Sequence, residues 1–223
     1  MKSLEFKVEL LSDTLPGSGS SGGVVIDTDV AADEFGFPYL PAKRLKGLFL
    51  ESACEVMEMA PDLITPDDIE RIFGKSGNAE SHSVIVGDGL LEGMEETTRW
   101  VRSVVENNAG FNKIFHPERI KETFTIIRRQ TKIDPETGTA EKHSLRTFRV
   151  LKRGLVFEGT IHFRDDSHAE KDINLLNLVV RNTCYMGTGR NRGYGHVKMT
   201  LLKDGHEVFP SESISMMEKG GVA

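Results

Sequence analysis

Residues Leu4-Glu5-Phe6-Lys7-Val8-Glu9-Leu10 alternate apolar and polar positions, the period of a strand with one buried face. A Gly/Ser tract, Pro16 to Gly23, follows, then a short apolar run, Val24-Val25-Ile26, ending in acids. Phe35-Gly36-Phe37-Pro38-Tyr39-Leu40-Pro41 reads as extended and turn-rich. From Ala42 the period changes to that of a helix. Leu45, Leu48, Phe49, Ala53, Val56 and Met57 make an apolar stripe that runs to Met59, with Pro41 ahead of it and Pro61 as the stop. Residues 66–73 make a second, short helix opening on Pro66-Asp67-Asp68, with acids at the positive end of its dipole. Ser83–Asp88 is strand-like and Glu95–Asn107 helical. Phe124–Ile127 and Phe148–Leu151 read as paired strands around the turn Asp134-Pro135-Glu136-Thr137-Gly138. Val156–Phe163 alternates again, Asp172–Cys184 is helical, and His196–Leu202 is a last strand after a glycine-rich loop.

The order β, α, β, insertion, β, α, β suits an α+β chain of split βαβ units, a modified ferredoxin-like or RRM-like sheet with helices on one face. The 223 residues, 38% of them hydrophobic, suffice for one core with an elaborated insertion, so we expect a single domain, 1–223. The longest largely apolar stretch, Ile173–Val180, is far too short to span a bilayer, and Met1–Phe6 has no apolar signal segment; the expectation is a cytoplasmic protein without membrane partners. Cys54 and Cys184 lie 130 positions apart without metal-ligand spacing, and are expected to be reduced core thiols.

Net charge is −6, which by itself argues against a polyanionic ligand. The charge is uneven, however. Residues 113–153 hold eleven Lys and Arg against five acids, while acids concentrate in 51–70. An acidic protein with a basic face can bind nucleic acid, although an ordinary solvated surface has the same composition.

Two motifs sharpen this. Gly187-Thr188-Gly189-Arg190-Asn191-Arg192-Gly193-Tyr194-Gly195 packs four glycines and two arginines into nine residues between a helix and a strand. Glycines let backbone N–H groups approach phosphate oxygens, and Arg190 and Arg192 add bidentate contacts. The spacing is not that of a Walker A loop, and a dinucleotide loop would follow the first strand. Lys43, Arg44 and Lys46 stand at the start of a helix, where the dipole disfavours cations; this points to an anion bound at that end, against the alternative of solvated lysines. His82, His143 and His168 lie in polar stretches and read as surface residues, while His162 and His196 lie on strands and read as structural.

An Asp-rich segment leading to Gly36-Phe37-Pro38-Tyr39-Leu40-Pro41, then Arg44-Leu45-Lys46-Gly47 opening a helix, resembles the RAMP superfamily of CRISPR proteins. Ile72-Phe73-Gly74 before a strand looks like that superfamily's Leu-Phe-Gly element, and Gly187–Gly195 like its glycine-rich hallmark. Thr131 to Ala140, then Leu145-Arg146 and Phe148-Arg149-Val150, is similar to the thumb hairpin of the repeating backbone subunit of type III CRISPR complexes.

The resemblance implies a filament of copies on one guide RNA, with other effector subunits and complementary target RNA as partners. Lys43, Arg44, Lys46 and the loop residues Gly187, Gly189, Arg190, Arg192, Gly193 and Gly195 would hold the guide. A thumb at about 124–150, carrying Arg128, Arg129 and Lys132, would wedge between bases, and a helical insertion would occupy about 93–123. A loop aspartate with Mg2+ or another divalent metal would cleave the target. By position Asp27 is the best match for that catalytic and metal-binding residue, followed by Asp33 and Asp29, although Thr28 to Asp33 departs from the usual pattern after the aspartate. RNA supplies its own 2′-hydroxyl nucleophile, so one or two carboxylates suffice for this chemistry. Within the same superfamily three other readings remain: a cleavage-silent scaffold, an end-capping subunit, and a guide-processing endoribonuclease. The last usually carries a histidine in its N-terminal half, and this chain has none before His82.

Overall fold

A computed structural model describes residues 2–17, 26–75, 83–107, 115–164 and 167–209. Residues 18–25 of the Gly/Ser tract and the run after it, His82, and 108–114 within the insertion lie outside the described residues.

Strand β1 (Ser3–Leu10) buries Leu4, Phe6, Val8 and Leu10 and turns Glu5, Lys7 and Glu9 outward, as its period requires. It is the centre of the main sheet, antiparallel to β6 (Val156–Phe163) on one side and to β7 (Val197–Lys203) on the other. Two short strands, β2 (Val84–Val86) and β3 (Leu90–Leu91), pair with the far side of β6, and β8 (His206–Glu207) extends β7. The order β2-β6-β1-β7-β8 places β6 between β1 and β2, and β1 between β6 and β7. Each βαβ unit is therefore split by a strand of the other.

Helices α1 (Ala42–Met59), α2 (Pro66–Phe73) and α5 (Ala169–Asn182) cover the buried face of the sheet. The core joins Phe6, Phe157, Ile161 and Phe163 of the sheet to Leu45, Phe49 and Ala53 of α1 and to Ile173, Leu176 and Val180 of α5. Thr65 closes a reciprocal capping box with Asp68 at the start of α2. Helix α5 begins three residues earlier than the periodicity suggested, and its first residue, Ala169, is buried in the core. Among the described residues no helix is long and apolar enough to cross a membrane.

Both cysteines are free thiols, but neither is in the core: Cys54 and Cys184 are exposed. Cys54 follows Ala53 on α1, one position past the stripe that faces the sheet, and Cys184 lies beyond the end of α5. Position relative to the helices, not residue type, decided this.

A second, smaller sheet lies beside the main one, and the helices that lead to it pack against the main core through Val101, Ile120 and Phe124. Helices α3 (Glu95–Asn107) and α4 (Pro117–Phe124) come between β3 and β4 (Thr125–Gln130), and β4 pairs antiparallel with β5 (Arg146–Leu151) in a two-stranded sheet of its own. Phe124, read as the first strand residue, is the last residue of α4. The hairpin base is held by a separate apolar cluster of Leu15, Phe148 and Val150, flanked by Ile126 and Tyr194. The distal segment is exposed, with Ile133 at 54% and Leu145 at 60% of full exposure. Asp134 shapes its tip by accepting the Glu136 amide at 2.8 Å.

Candidate nucleic-acid interface

Helix α1 starts where extended Pro41 hands over to Ala42, with no side-chain cap and no acid in its first turn. The Ala42 N–H instead donates to Asp88 Oδ1 at 2.6 Å, from the β2–β3 connection. An anion does sit at this helix start, as the cations there suggest, but it is a carboxylate of the same chain. Lys43 and Arg44 are exposed beside it. Lys46 is different: it is half-buried and does not line the cleft that its neighbours share. Burial, and then the nearby Arg164 charge, lower its pKa.

The glycine-rich loop is a folded plug. Gly187 and Gly195 have φ near +78° and +77°, and a Cβ on either would lie about 2 Å from a backbone carbonyl, of Leu15 and Met186 respectively. Several loop amides point inward: Thr188 N–H donates to Leu15 O, Gly195 N–H to Asp13 O and Arg192 N–H to Gly189 O. Gly189 and Gly193 bracket the 3-10 turn Arg190–Arg192. The arginines project from this plug. Arg190 donates to both carboxylate oxygens of Glu51 on α1, at 3.0 and 3.1 Å, and holds the Glu51 pKa below its usual range. Arg192 donates to Gln130 Oε1 at 3.0 Å and so ties the loop to the hairpin.

The two motifs face each other. An open cleft of about 880 Å³ is lined on one side by Lys43, Arg44, Gly47 and Glu51 of α1 and on the other by Gly187, Thr188 and Arg190, with Thr28 also in its wall. Glu51 was not singled out in the sequence, yet Arg44, Gly47 and Glu51 recur at helical spacing on one face, and that spacing was a usable signal.

Thr28 brings the acidic loop to this cleft, and the three aspartates part company there. Asp27 is exposed: its Oδ2 accepts the Thr147 N–H at 2.7 Å and its Oδ1 is 3.4 Å from the Arg146 guanidinium. The Thr147 hydrogen bond, aided by Arg146, lowers the Asp27 pKa. Asp29 is only 8% exposed and is flanked by Arg149 Nε at 3.0 Å and Lys121 Nζ at 3.5 Å. Asp33 organises its own loop by accepting the amides of Phe35 and Phe37, each at 2.9 Å. On an extended chain Asp27 and Asp29, two positions apart, would share a face. The Thr28–Phe148 bridge and the fold beyond it separate them into a surface carboxylate and a buried one.

Much of the basic stretch is already engaged. Arg128 pairs with Asp13 at 2.6 Å, Lys132 with Glu141 at 2.7 Å, and Lys152 donates to the Thr123 carbonyl at 2.6 Å. Arg149, counted among the basic residues, is buried. Arg129 remains exposed on β4 with no ion pair among the described residues. His162 Nε2 lies 3.1 Å from Thr160 Oγ1, and His196 stacks on Tyr185; neither lines the cleft.

Among the described residues no cluster of three or more His, Cys, Asp or Glu could cage a metal. Magnesium does not need one: it takes one or two carboxylates together with phosphate oxygens and water. Asp27 fits that role, since it is exposed and its two hydrogen bonds leave lone pairs on the carboxylate.

This α+β architecture, with a hairpin and a cationic cleft set beside the sheet, defines a class of chain that the comparisons identify. The model of the RAMP superfamily matches residues 7–198, and the chain belongs to that superfamily. Its fold is shared with a chain of the type III-B Cmr-beta cryo-EM structure bound to cognate target RNA. That likeness has a TM-score of 0.66 and 15% identity, and covers 90% of this chain and 97% of that one. A chain of the apo-state cryo-EM structure of type III-B Cmr-beta gives a TM-score of 0.65 and 17% identity, covering 91% and 98%. A comparison with curated proteins finds no match.

Proposed function

We propose that this chain is a repeating backbone subunit of a type III CRISPR effector complex, one that holds guide RNA along a filament and cleaves complementary target RNA at Asp27. One observation carries this reading: the loop bearing Asp27 enters, through Thr28, the same cleft that joins the α1 cations to the glycine-rich loop. Shared fold with chains of the Cmr-beta complexes, one of them bound to target RNA, supports it. The proposed unit is one domain with an insertion at about 93–123 and a thumb at about 124–150.

In this reading Lys43, Arg44 and Arg190 contact guide phosphates. The Arg190–Glu51 pair is exposed, and such pairs contribute only ~0–1 kcal/mol, so a phosphate can replace Glu51 at little cost. The Thr147 amide fixes one oxygen of Asp27, and the other stands 3.4 Å from the exposed Arg146 guanidinium. A divalent ion bound there would neutralise the scissile phosphate and favour ionisation of the attacking 2′-hydroxyl. Because the Asp27 pKa is depressed, this carboxylate is a poor proton acceptor near neutrality. Its part is charge placement, not general base catalysis. The exposed hairpin, with Ile133 and Leu145 uncovered, is suited to interrupt base stacking and set in-line geometry.

The test uses the assembled complex, complementary RNA and magnesium. Regularly spaced cuts are expected, and Asp27→Asn should abolish them while guide content and target affinity hold. Since the Asp27 carboxyl is depressed, its ionised form is lost only below the usual carboxylate range. Between about pH 5 and 8 the rate should therefore show no titration of Asp27. Uncut target RNA would leave the guide-binding scaffold as the function, a reading favoured by the Arg146 guanidinium that already partners Asp27.

A further inference from the structure

Arg149 is the most confined cation of the hairpin, at 4% exposure. Its guanidinium meets three partners on three elements. Nη2 donates to Glu118 Oε2 of α4 at 2.9 Å, and Nη1 to Thr125 Oγ1 of β4 at 3.3 Å. Nε lies 3.0 Å from Asp29 Oδ1 in the acidic loop, as an ion pair without an aligned hydrogen bond. Asp29 Oδ1 is also held by the Val30 amide at 2.8 Å, and Lys121 stands 3.5 Å from Oδ2.

The backbone repeats the connection. Arg149 N–H donates to Thr28 O at 3.0 Å, Asp27 N–H donates to Thr147 O at 2.8 Å, and Thr147 N–H returns to the Asp27 carboxylate. Residues 27–29 thus run beside 147–149 as a short strand-like rider on β5. Side-chain period makes such a rider sensitive to slippage: one residue of shift would withdraw the Asp27 carboxylate from the Thr147 amide. Backbone bonds this few do not specify a register by themselves. The guanidinium adds to them, because in this alignment its planar fork hydrogen-bonds Glu118 and Thr125 while its Nε faces the Asp29 carboxylate.

We propose that Arg149 is a positioning residue: through Asp29 it locks the acidic loop in register against the hairpin, and so fixes where the Asp27 carboxylate stands relative to the thumb. The consequence for cleavage rests on the reading of Asp27 as the cleaving carboxylate; the clamp itself does not. A lysine at 149 keeps the charge but reaches one partner at a time, so Arg149→Lys loosens the register without leaving a buried cavity. Asp29→Asn removes the partner charge from the other side.

The experiment has two readouts. In the full-length protein, hydrogen exchange of the Thr147 and Arg149 amides should accelerate at least tenfold in Arg149→Lys and in Asp29→Asn, with β1 and α1 amides unchanged. In the assembled complex, Arg149→Lys should retain guide content and target affinity within twofold. Its single-turnover cleavage should fall at least tenfold and require more magnesium, and adding Asp27→Asn should lower it no further than Asp27→Asn alone. Unchanged exchange at Thr147 overturns the clamp. So does a cleavage loss that only mirrors lost guide content, which is a folding defect. If Asp27→Asn cleaves like the unaltered complex, the catalytic reading fails, and the exchange data alone decide the clamp.

Discussion

The open face of the main sheet and the cleft beside α1 are both large concave surfaces, and their chemistry is opposite. On the sheet face a depression of about 700 Å³ is lined by Glu5, Glu95, Glu96, Asp88 and Glu158. Its lysine, Lys7, is held between Glu92 at 2.7 Å and Glu158 at 2.6 Å, and these carboxylates raise its pKa. RNA-recognition sheets stack bases on exposed aromatics of this face. Here the phenylalanines of β1 and β6, Phe6, Phe157 and Phe163, are buried on the helix side. The cleft has the reverse character: exposed Lys43 and Arg44, projecting Arg190, and one acid, Glu51, already matched to an arginine. The cationic concavity of this fold therefore lies beside the sheet, where α1 meets the glycine-rich loop, and the concavity on the sheet face is acidic. Topology constrains which residues meet; charge and exposure decide which surface can bind.

The largest effect that bears on this contrast lies in the hairpin, which neither concave surface contains. Replacing 131–145 by a tight Asn-Gly turn should leave a folded subunit, because the Leu15–Phe148–Val150 cluster anchors the base without the tip. Guide binding should persist in the cleft, while regularly spaced cleavage disappears. Sequencing of the products reads this, and cuts at the original interval in the shortened variant would exclude a wedge.

Next comes Arg190→Ala with Arg192→Ala. It should weaken guide binding by at least tenfold for every guide sequence. The salt dependence should flatten too, by about 0.7 in log–log slope for each phosphate that the arginines no longer neutralise. Titrations at several salt concentrations read both, and an unchanged slope would mean the arginines only brace the loop.

Glu51→Gln makes a smaller change of opposite sign. It removes the anion that competes with phosphate for Arg190, so guide affinity should rise by roughly threefold, about 0.7 kcal/mol, within the range of an exposed ion pair. Weaker binding would show that Glu51 orients Arg190 instead of competing for it.

The smallest effect is expected on the sheet face. Glu5→Gln with Glu158→Gln should change RNA affinity by less than about twofold, since neither side chain lines the cleft and salt screens exposed charges over a Debye length of roughly 8 Å. A large gain in affinity would place RNA on the sheet after all and erase the contrast.

How far the sequence alone reaches varies by residue. Helix α1 was bounded correctly at Ala42 and Met59, because Pro41, Pro61 and the apolar stripe are local signals. β1 showed its buried face by alternation, and the Asp134 turn marked the hairpin, for the same reason. Residue types also singled out the glycine-rich loop, and the family resemblance singled out Asp27, as candidates. What they could not supply was the state of each charge. Asp29 and Asp27 are two positions apart and chemically alike, yet one is buried against Arg149 and the other is exposed. Arg149 and Arg129 are both basic hairpin residues, and only Arg129 faces solvent. Lys46 belongs to the same motif as Lys43 but is half-buried and lies outside the cleft. These outcomes depend on partners up to 120 residues away, such as Asp27 and Thr147. Periodicity and turn chemistry act over a few residues and are written in the chain; burial and ion pairing are set by which distant segments the fold brings within a few ångströms, and only the tertiary structure decides that.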